Sequence, residues 1–509
     1  MLRAVRATTR HISTWLPYVA VTTVALFARL FPVLHGGGLK GVGGYDDGVY
    51  FAASEALVHG RVPYRDFMLL HPPGLIYLLT PFALLAHQVG DANAWAAARV
   101  FVMLLGVASA VLVTLILRPY GTTASLTGGL LYAVWFPALN AEFSTLLEGP
   151  SNAMLLGALL LLTRRGRAEA GGAAPGWRSE LAAGAMLGLA ASTKIWGVVP
   201  FLVVVAWQAV TRGRRAASWV LAGGVAMVAV VCGPVFAFAP ARMLELVVGD
   251  QLQRSDTHTS LLLRAADFTP VSRLLPGAAN GATIAALVVV GAVGLVCADR
   301  AWTVRSARVF VVLLLAQTAV LLASPSYFPH YGAYLAPAVA LTAGTAVGVL
   351  AERFTGRSRL VRRALPAALL VGFAALAAPV VVVPRMAAFD ATAVRAALTG
   401  RRCVEADTPS SLILSGALSP DLARGCPTRI DVTGPTYNVD RVVGTDGRTV
   451  PRVRNPLWQR DILAYLRSGN AAMVTRSEAD GFSEGTRRAL RHLTLLYRGR
   501  DVTVYATGG

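Results

Sequence analysis

The sequence predicts a polytopic α-helical membrane protein of about eleven transmembrane helices, followed by a small carboxy-terminal α/β domain outside the membrane. Three observations carry that expectation. The 509 residues are 55% hydrophobic and 15% charged, with a mean hydropathy of +0.56, whereas a soluble chain would carry about 25% charged residues. Apolar runs near the length needed to cross a bilayer, about 20 residues, recur between residues 16 and 383. Arginines gather in the short connections, and every cluster falls on one side if the amino terminus is cytoplasmic. The formal charge of +20 is thus distributed as topology requires, and no nucleic-acid partner is expected.

Taken in order, the spans are read at 16–34, 93–117, 124–139, 151–163, 181–196, 198–210, 219–238, 282–297, 309–323, 333–350 and 364–383. The cytoplasmic connections carry Arg3, Arg6 and Arg10, then Arg118, the stretch 164–178, 212–215, 300–308 and 353–363. Opposite them lie a first outer loop at 35–92, then 140–150, 239–280, 324–332 and everything after Pro384. A plasma-membrane protein with a cytoplasmic amino terminus follows. The basic start before the first span also fits a signal peptide, but no small-residue cleavage site precedes Gly36-Gly37-Gly38, so a retained helix is expected. The apolar stretch 75–86 is too short to cross and is read as an interfacial or re-entrant helix.

Residues 1–384 therefore form a membrane domain, and 385–509 a domain of roughly 120 residues with turn-rich, strand-like and helix-like runs. Strands are expected at 411–414 and 502–505, and helices at 458–466 and 487–496. Cys403 and Cys426 lie in this outer domain, while Cys232 and Cys297 fall within spans. An oxidising compartment favours a Cys403–Cys426 disulfide; two unpaired buried thiols are the alternative.

The polar segment Gly44-Tyr45-Asp46-Asp47-Gly48-Val49-Tyr50, followed by His71-Pro72-Pro73-Gly74, stands just beyond the first span. Acids beside a membrane are costly to desolvate and call for a functional reading with a named partner, although Asp-Gly is also a turn signal. The two prolines turn the chain into the interfacial segment. With Gly60-Arg61-Val62-Pro63-Tyr64-Arg65-Asp66 between them, these motifs resemble the first outer loop of the GT-C glycosyltransferases, of the protein-O-mannosyltransferase and aminoarabinose-transferase kind. Tyr327-Phe328-Pro329-His330-Tyr331 with Pro337 is similar to a His-Tyr element at a late helix entrance in that superfamily, and Glu148 stands where relatives often carry an acid. The likeness covers the membrane portion in layout but only these motifs in residues.

The resemblance implies a polyprenyl-phosphate sugar donor and inversion at the anomeric carbon. Such a donor already has a good leaving group, so the protein needs a carboxylate to take the acceptor hydroxyl's proton and cations to hold the phosphate. Asp46 and Asp47 are the candidate catalytic residues: Asp46 as the base, Asp47 supporting it or binding a substrate hydroxyl. Lys194, one of two lysines in the chain, matches a Thr-Lys element of relatives and either holds the phosphate or anchors at the interface with Trp196. His330 and Tyr331, Glu148, His71 and Tyr50 complete the substrate-binding set; His330 differs from the Arg or Lys of relatives, and His71 serves mainly to shape the loop. The outer loop bearing Asp250, Arg254, Asp256 and His258 is either an acceptor lid or solvated. Asp46, Asp47, His71 and Glu148 also suit a divalent cation, Mg or Mn, but without tight ligand spacing, so no metal is assigned.

The expected activity is transfer of a sugar to a glycan, lipid or protein hydroxyl of the cell envelope. The excess of arginine over lysine, with abundant alanine, fits a GC-rich bacterium, for which mannose or arabinose on a polyprenyl carrier is a plausible sugar. A lipid-linked-sugar flippase or transporter is the alternative; it calls for inverted repeats and mid-membrane acids, neither of which the sequence displays. A non-catalytic membrane scaffold with an outer binding domain would leave the paired acids unexplained.

Overall fold

The computed structural model describes residues 2–163, 176–252, 254, 259–275, 281–354, 372, 386–475 and 481–508. Its first ten long elements are α1 (Leu2–Leu30), α2 (Tyr45–Val58), α3 (Gly74–Val89), α4 (Asp91–Leu117), α5 (Thr122–Val134), α6 (Phe136–Glu142), α7 (Glu148–Thr163), α8 (Trp177–Thr193), α9 (Val198–Arg212) and α10 (Arg214–Phe238). Helices Gly281–Trp302, Arg308–Ala323 and Ala336–Phe354 follow. Among the described residues, seven helical stretches are long and apolar enough to cross a membrane. The expected spans through 350 all fall on helices, although α5, α7 and α8 are short and the run 124–139 breaks at Trp135, where Pro137 opens α6. The span at 364–383 lies outside the described residues except for residue 372, and the connection 164–178 lies mostly outside them.

Side chains sort as a bilayer demands. Gly281–Trp302 turns Ile284, Val288, Val289, Val293 and Leu295 outward, while α4, whose window is 56% buried, runs through the middle of the bundle. Arg29 and Glu142 form a fully buried ion pair, to which the Tyr132 hydroxyl donates at 2.9 Å, as intramembrane charges must.

The segment 35–92 folds into α2 and α3, and these do not stand apart from the carboxy-terminal unit. Phe51, Leu75, Ile76, Leu79 and Trp95 share one buried cluster with Leu412, Ile413, Val404, Met473 and Val504. The carboxy-terminal unit carries a four-stranded sheet in the order β1-β2-β4-β3, with β1 (Val404–Ala406), β2 (Ala471–Val474), β3 (Thr494–Arg498) and β4 (Thr503–Ala506). β1 pairs parallel to β2, and the other two pairings are antiparallel.

The expected strand at 411–414 is instead helix Pro409–Ser415. Pro409 opens it and Gly416, at φ 75°, closes it; the run is buried on every face, so its lack of periodicity did not distinguish strand from helix. The expected helix at 458–466 is part of Pro456–Leu466, capped by the Asn455 side chain. The expected helix at 487–496 stops at Arg491, and its last residues enter β3. Cys403 and Cys426 are joined by a disulfide across a sequence separation of 23, a closure worth about 3 kcal/mol in the chain-entropy picture.

Three contacts seat this unit on the outer loop. The Tyr45 hydroxyl donates to Asp431 at 2.9 Å and accepts from the backbone N–H groups of Val432 and Thr433. Arg61 donates to the carbonyls of Cys426 and Thr428. Gly48 of α2 lies against helix Pro409–Ser415 so closely that a Cβ there would sit 2.8 Å from the Ser410 backbone nitrogen. Gly48→Val should therefore force the two surfaces apart at a cost of about 1–3 kcal/mol. The expected readout is a lower melting temperature and faster limited proteolysis between residues 386 and 475; wild-type stability would contradict this packing.

Candidate active site

The first turn of α2 holds both acids, and helical geometry aims neighbouring side chains about 100° apart. Asp47 turns inward and is fully buried. Its Oδ2 accepts from Arg99 Nη2 at 2.6 Å and Nε at 3.1 Å, and its Oδ1 from the Thr145 backbone N–H at 2.8 Å and hydroxyl at 2.6 Å. Arg99 lies over the Trp95 ring, 3.5 Å from its centre, and donates to the carbonyls of Leu39 and Gly41. With both oxygens engaged, Asp47 is unavailable to substrate; it pins α2 to α4. The catalytic or hydroxyl-binding part expected for it is corrected on this ground.

Asp46 points the other way. Among the described residues none donates a hydrogen bond to its carboxylate. Burial raises its pKa, and among the neighbouring charges His330 and Arg254 oppose that shift while Asp431 and Glu148 reinforce it. A free, partly desolvated carboxylate is a stronger base than one in water.

Opposite it stands a cation in an aromatic cage. Lys194 ends α8 in an extended conformation before the turn Ile195–Gly197. Its Nζ donates to Glu148 Oε1 at 2.5 Å and sits 4.2 Å from the Trp196 ring centre and 4.0 Å from that of Tyr331. Glu148 opens α7, where the helix dipole favours a carboxylate. The Pro329–Leu335 turn brings in His330, whose Nε2 is 3.9 Å from the same Glu148 oxygen. Asn152 of α7 holds that turn through the Ala333 carbonyl at 2.8 Å, and the Tyr334 hydroxyl reaches the Trp196 carbonyl at 2.8 Å.

The His71-Pro72-Pro73-Gly74 turn packs against the end of α8. A Cβ on Gly74 would lie 2.6 Å from the Ser192 carbonyl oxygen, so only glycine lets α3 start against the residues that lead into Lys194. His71 is buried with its ring edge toward Tyr50, 5.9 Å between centres, and its Nδ1 has no partner among the described residues. Burial, with Arg254, Lys194 and His330 nearby, pushes its pKa well below the ordinary value and keeps the ring neutral.

Arg254 is the member that sequence reasoning left unassigned. It donates to the Tyr331 hydroxyl at 3.1 Å and lies 4.9 Å over the ring of Tyr437, from the carboxy-terminal unit. Asn438 next door is fastened to Glu245 and Asp250, and Arg242 donates to it in turn. No periodicity marks an arginine in an irregular loop, so only its charge in an outer segment could have drawn notice. Asp256 and His258 lie outside the described residues.

The structure thus gathers Asp46, Tyr50, His71, Glu148, Lys194, His330 and Tyr331 into one cluster and sets Asp47 apart, against Arg99 and Thr145. The four-residue cation set does not form, because Asp47 is occupied by Arg99 and Thr145. What remains is the Asp46 carboxylate, without a hydrogen-bond donor among the described residues and near the charges of Lys194, Arg254 and His330.

Residues 69–325, half of the chain, match the sequence profile of Glycosyltransferase family 87. The protein belongs to that family. No curated protein matches. The fold is that of the GT-C glycosyltransferases: ArnT from Cupriavidus metallidurans bound to undecaprenyl phosphate is similar at TM-score 0.58 and 18% identity, covering 98% of each chain. Its apo form matches at TM-score 0.59 and 18% identity, over 99% of this chain and 98% of that one. The Archaeoglobus fulgidus oligosaccharyltransferase tethered to an acceptor peptide matches at 0.57 and 12%, over 90% of this chain and 68% of that one. The family 87 chain is a multi-pass membrane glycosyltransferase.

The two adjacent acids should separate cleanly by stability. Asp47→Ala leaves Arg99 buried without its carboxylate and should cost about 3–5 kcal/mol, whereas Asp46→Ala breaks no contact among the described residues and should melt like the wild type. Thermal unfolding in detergent checks this; equal losses would place Asp46 in the packing as well.

Proposed function

We propose that this family 87 glycosyltransferase moves a sugar, of the mannose or arabinose class, from a polyprenyl-phosphate carrier to a hydroxyl acceptor of the cell envelope, on the outer face of the plasma membrane and with inversion. The observation that carries the reading is the unpaired Asp46 carboxylate facing Lys194, Arg254 and His330. The cations hold the donor phosphate: Glu148 takes one of the three Lys194 N–H donors and leaves the others for phosphate oxygens. Asp46 removes the acceptor proton as that hydroxyl attacks the anomeric carbon from the side opposite the phosphate. The new C–O bond forms as the sugar–phosphate bond breaks, and its electron pair departs with the lipid phosphate, where Lys194 and Arg254 meet the growing charge.

The setting supports the same reading. A groove of about 610 Å³ on the carboxy-terminal unit, lined by Thr436, Tyr437, Asp446, Arg448, Arg452 and Arg454, ends at the tyrosine that carries Arg254 and offers a polar path for an acceptor.

Asp46→Asn keeps the side-chain shape but removes the base, so turnover should fall by about 10²–10⁴ while donor binding persists. Lys194→Ala should weaken donor binding and rate together. Single-turnover transfer from a polyprenyl-phosphate sugar, with donor affinity measured in parallel, tests both; near-normal turnover in Asp46→Asn would move the base elsewhere. The raised pKa of Asp46 should place the acid limb of the wild-type rate above the ordinary 3.8, with activity lost as pH falls through it.

Orientation is testable on its own. A cysteine at the exposed Ser468 should react with an impermeant maleimide on intact cells, and one at Arg215, in the α9–α10 connection, should react only after permeabilisation. The reverse pattern would invert the topology.

A further inference from the structure

The far end of α2 carries a second constellation that the transfer reaction does not use. Glu55 and His59, one helical turn apart, meet His87 from the last turn of α3, and a ligand atom from each lies within 4.8 Å of the others. Nine residues of helix separate Glu55 from Asp46, about 13 Å along the axis. We propose that Glu55, His59 and His87 bind a divalent cation of the zinc class, and that this site clamps the carboxy-terminal unit to the outer loop.

The donor set and its surroundings point the same way. His59 Nδ1 lies 2.8 Å from the Glu55 carbonyl oxygen; donating its N–H there leaves the Nε2 lone pair outward, the arrangement that metal-bound histidines adopt. His87 is exposed, giving the ion a way in. Two imidazoles and one carboxylate are a zinc donor set with a position left for water.

Charge supplies the independent argument. Glu55 is fully buried, and its Oε1 has no hydrogen-bond partner among the described residues. Asp91, also buried, stands beside it. The Ser419 hydroxyl lies 3.0 Å from Glu55 Oε2 and 2.6 Å from Asp91 Oδ1, but it has one proton and can satisfy only one of them. Two buried carboxylates around one hydroxyl need a proton or a cation.

The consequence is mechanical. Ser419 belongs to helix Leu418–Ala423 of the carboxy-terminal unit and reaches both Glu55 of α2 and Asp91 of α4. An ion on Glu55, His59 and His87 would fix α2 to α3 and hold the carboxylate that Ser419 grips. The site is distinct from the Asp46 cleft, so its loss should loosen the seat of the carboxy-terminal unit rather than remove a catalytic group.

The test uses tag-free, full-length protein in detergent, loaded with zinc chloride, dialysed and assayed for metal, with affinity from competition against a chromophoric chelator. The wild type should retain about one zinc per chain and melt at a higher temperature with zinc than after chelation. His87→Ala removes an exposed ligand without opening the core, and should weaken zinc binding by at least the 10- to 100-fold that loss of even an outer partner produces, with no zinc-dependent melting shift. Asp46→Asn should bind zinc as the wild type does. A wild type that retains no zinc, or a His87→Ala variant that binds and responds to zinc unchanged, would overturn the proposal.

Discussion

The buried pair of Asp47 and Arg99 is the constraint on which the site depends. Both side chains are wholly shielded, and the carboxylate is saturated by Arg99 and Thr145, so α2 can neither rotate nor slide without stranding a charge, a loss of about 3–5 kcal/mol. Because adjacent helical residues diverge by about 100°, pinning Asp47 inward is what turns Asp46 outward into the cleft. One acid supplies rigidity, and its neighbour accepts no hydrogen bond among the described residues.

The rest of the cleft is assembled from pieces far apart in the chain. Glu148 opens α7, Lys194 closes α8, His330 and Tyr331 come from the turn before helix Ala336–Phe354, and Arg254 arrives on an outer loop braced by Tyr437 and Asn438. The carboxy-terminal unit is therefore part of the site's wall. Its shared core with α2 and α3 couples the position of Arg254 to the docking of that unit, which gives the Gly48–Ser410 contact and the Glu55–Ser419–Asp91 cluster their importance.

Much of this was legible in the chain. Hydropathy and arginine spacing marked the helices because the bilayer imposes the same demand on every span. Gly74 was legible as a turn residue, whereas the Asp47-Gly48 turn signal falls inside helix α2; neither glycine was legible as a contact point, since the atoms that crowd them, at Ser410 and Ser192, come from distant segments. The helix Pro409–Ser415 was misread as a strand because burial on all faces erases periodicity. Arg254 was noted in its loop but left without a role, because a loop has no repeating pattern to show which partners its charge will meet.

The sequence by itself determined the class of molecule and the polar character of the segment between α1 and α4, since these follow from the solvation of each side chain and its neighbours along the chain. Tertiary structure decided which acid is free. Asp46 and Asp47 are chemically identical and adjacent, and only the arrival of Arg99 and Thr145 from other helices distinguishes them. It likewise decided that Lys194 pairs with Glu148 and that Glu55, His59 and His87 meet, because electrostatic partners at such sequence distances are chosen by packing and leave no local mark.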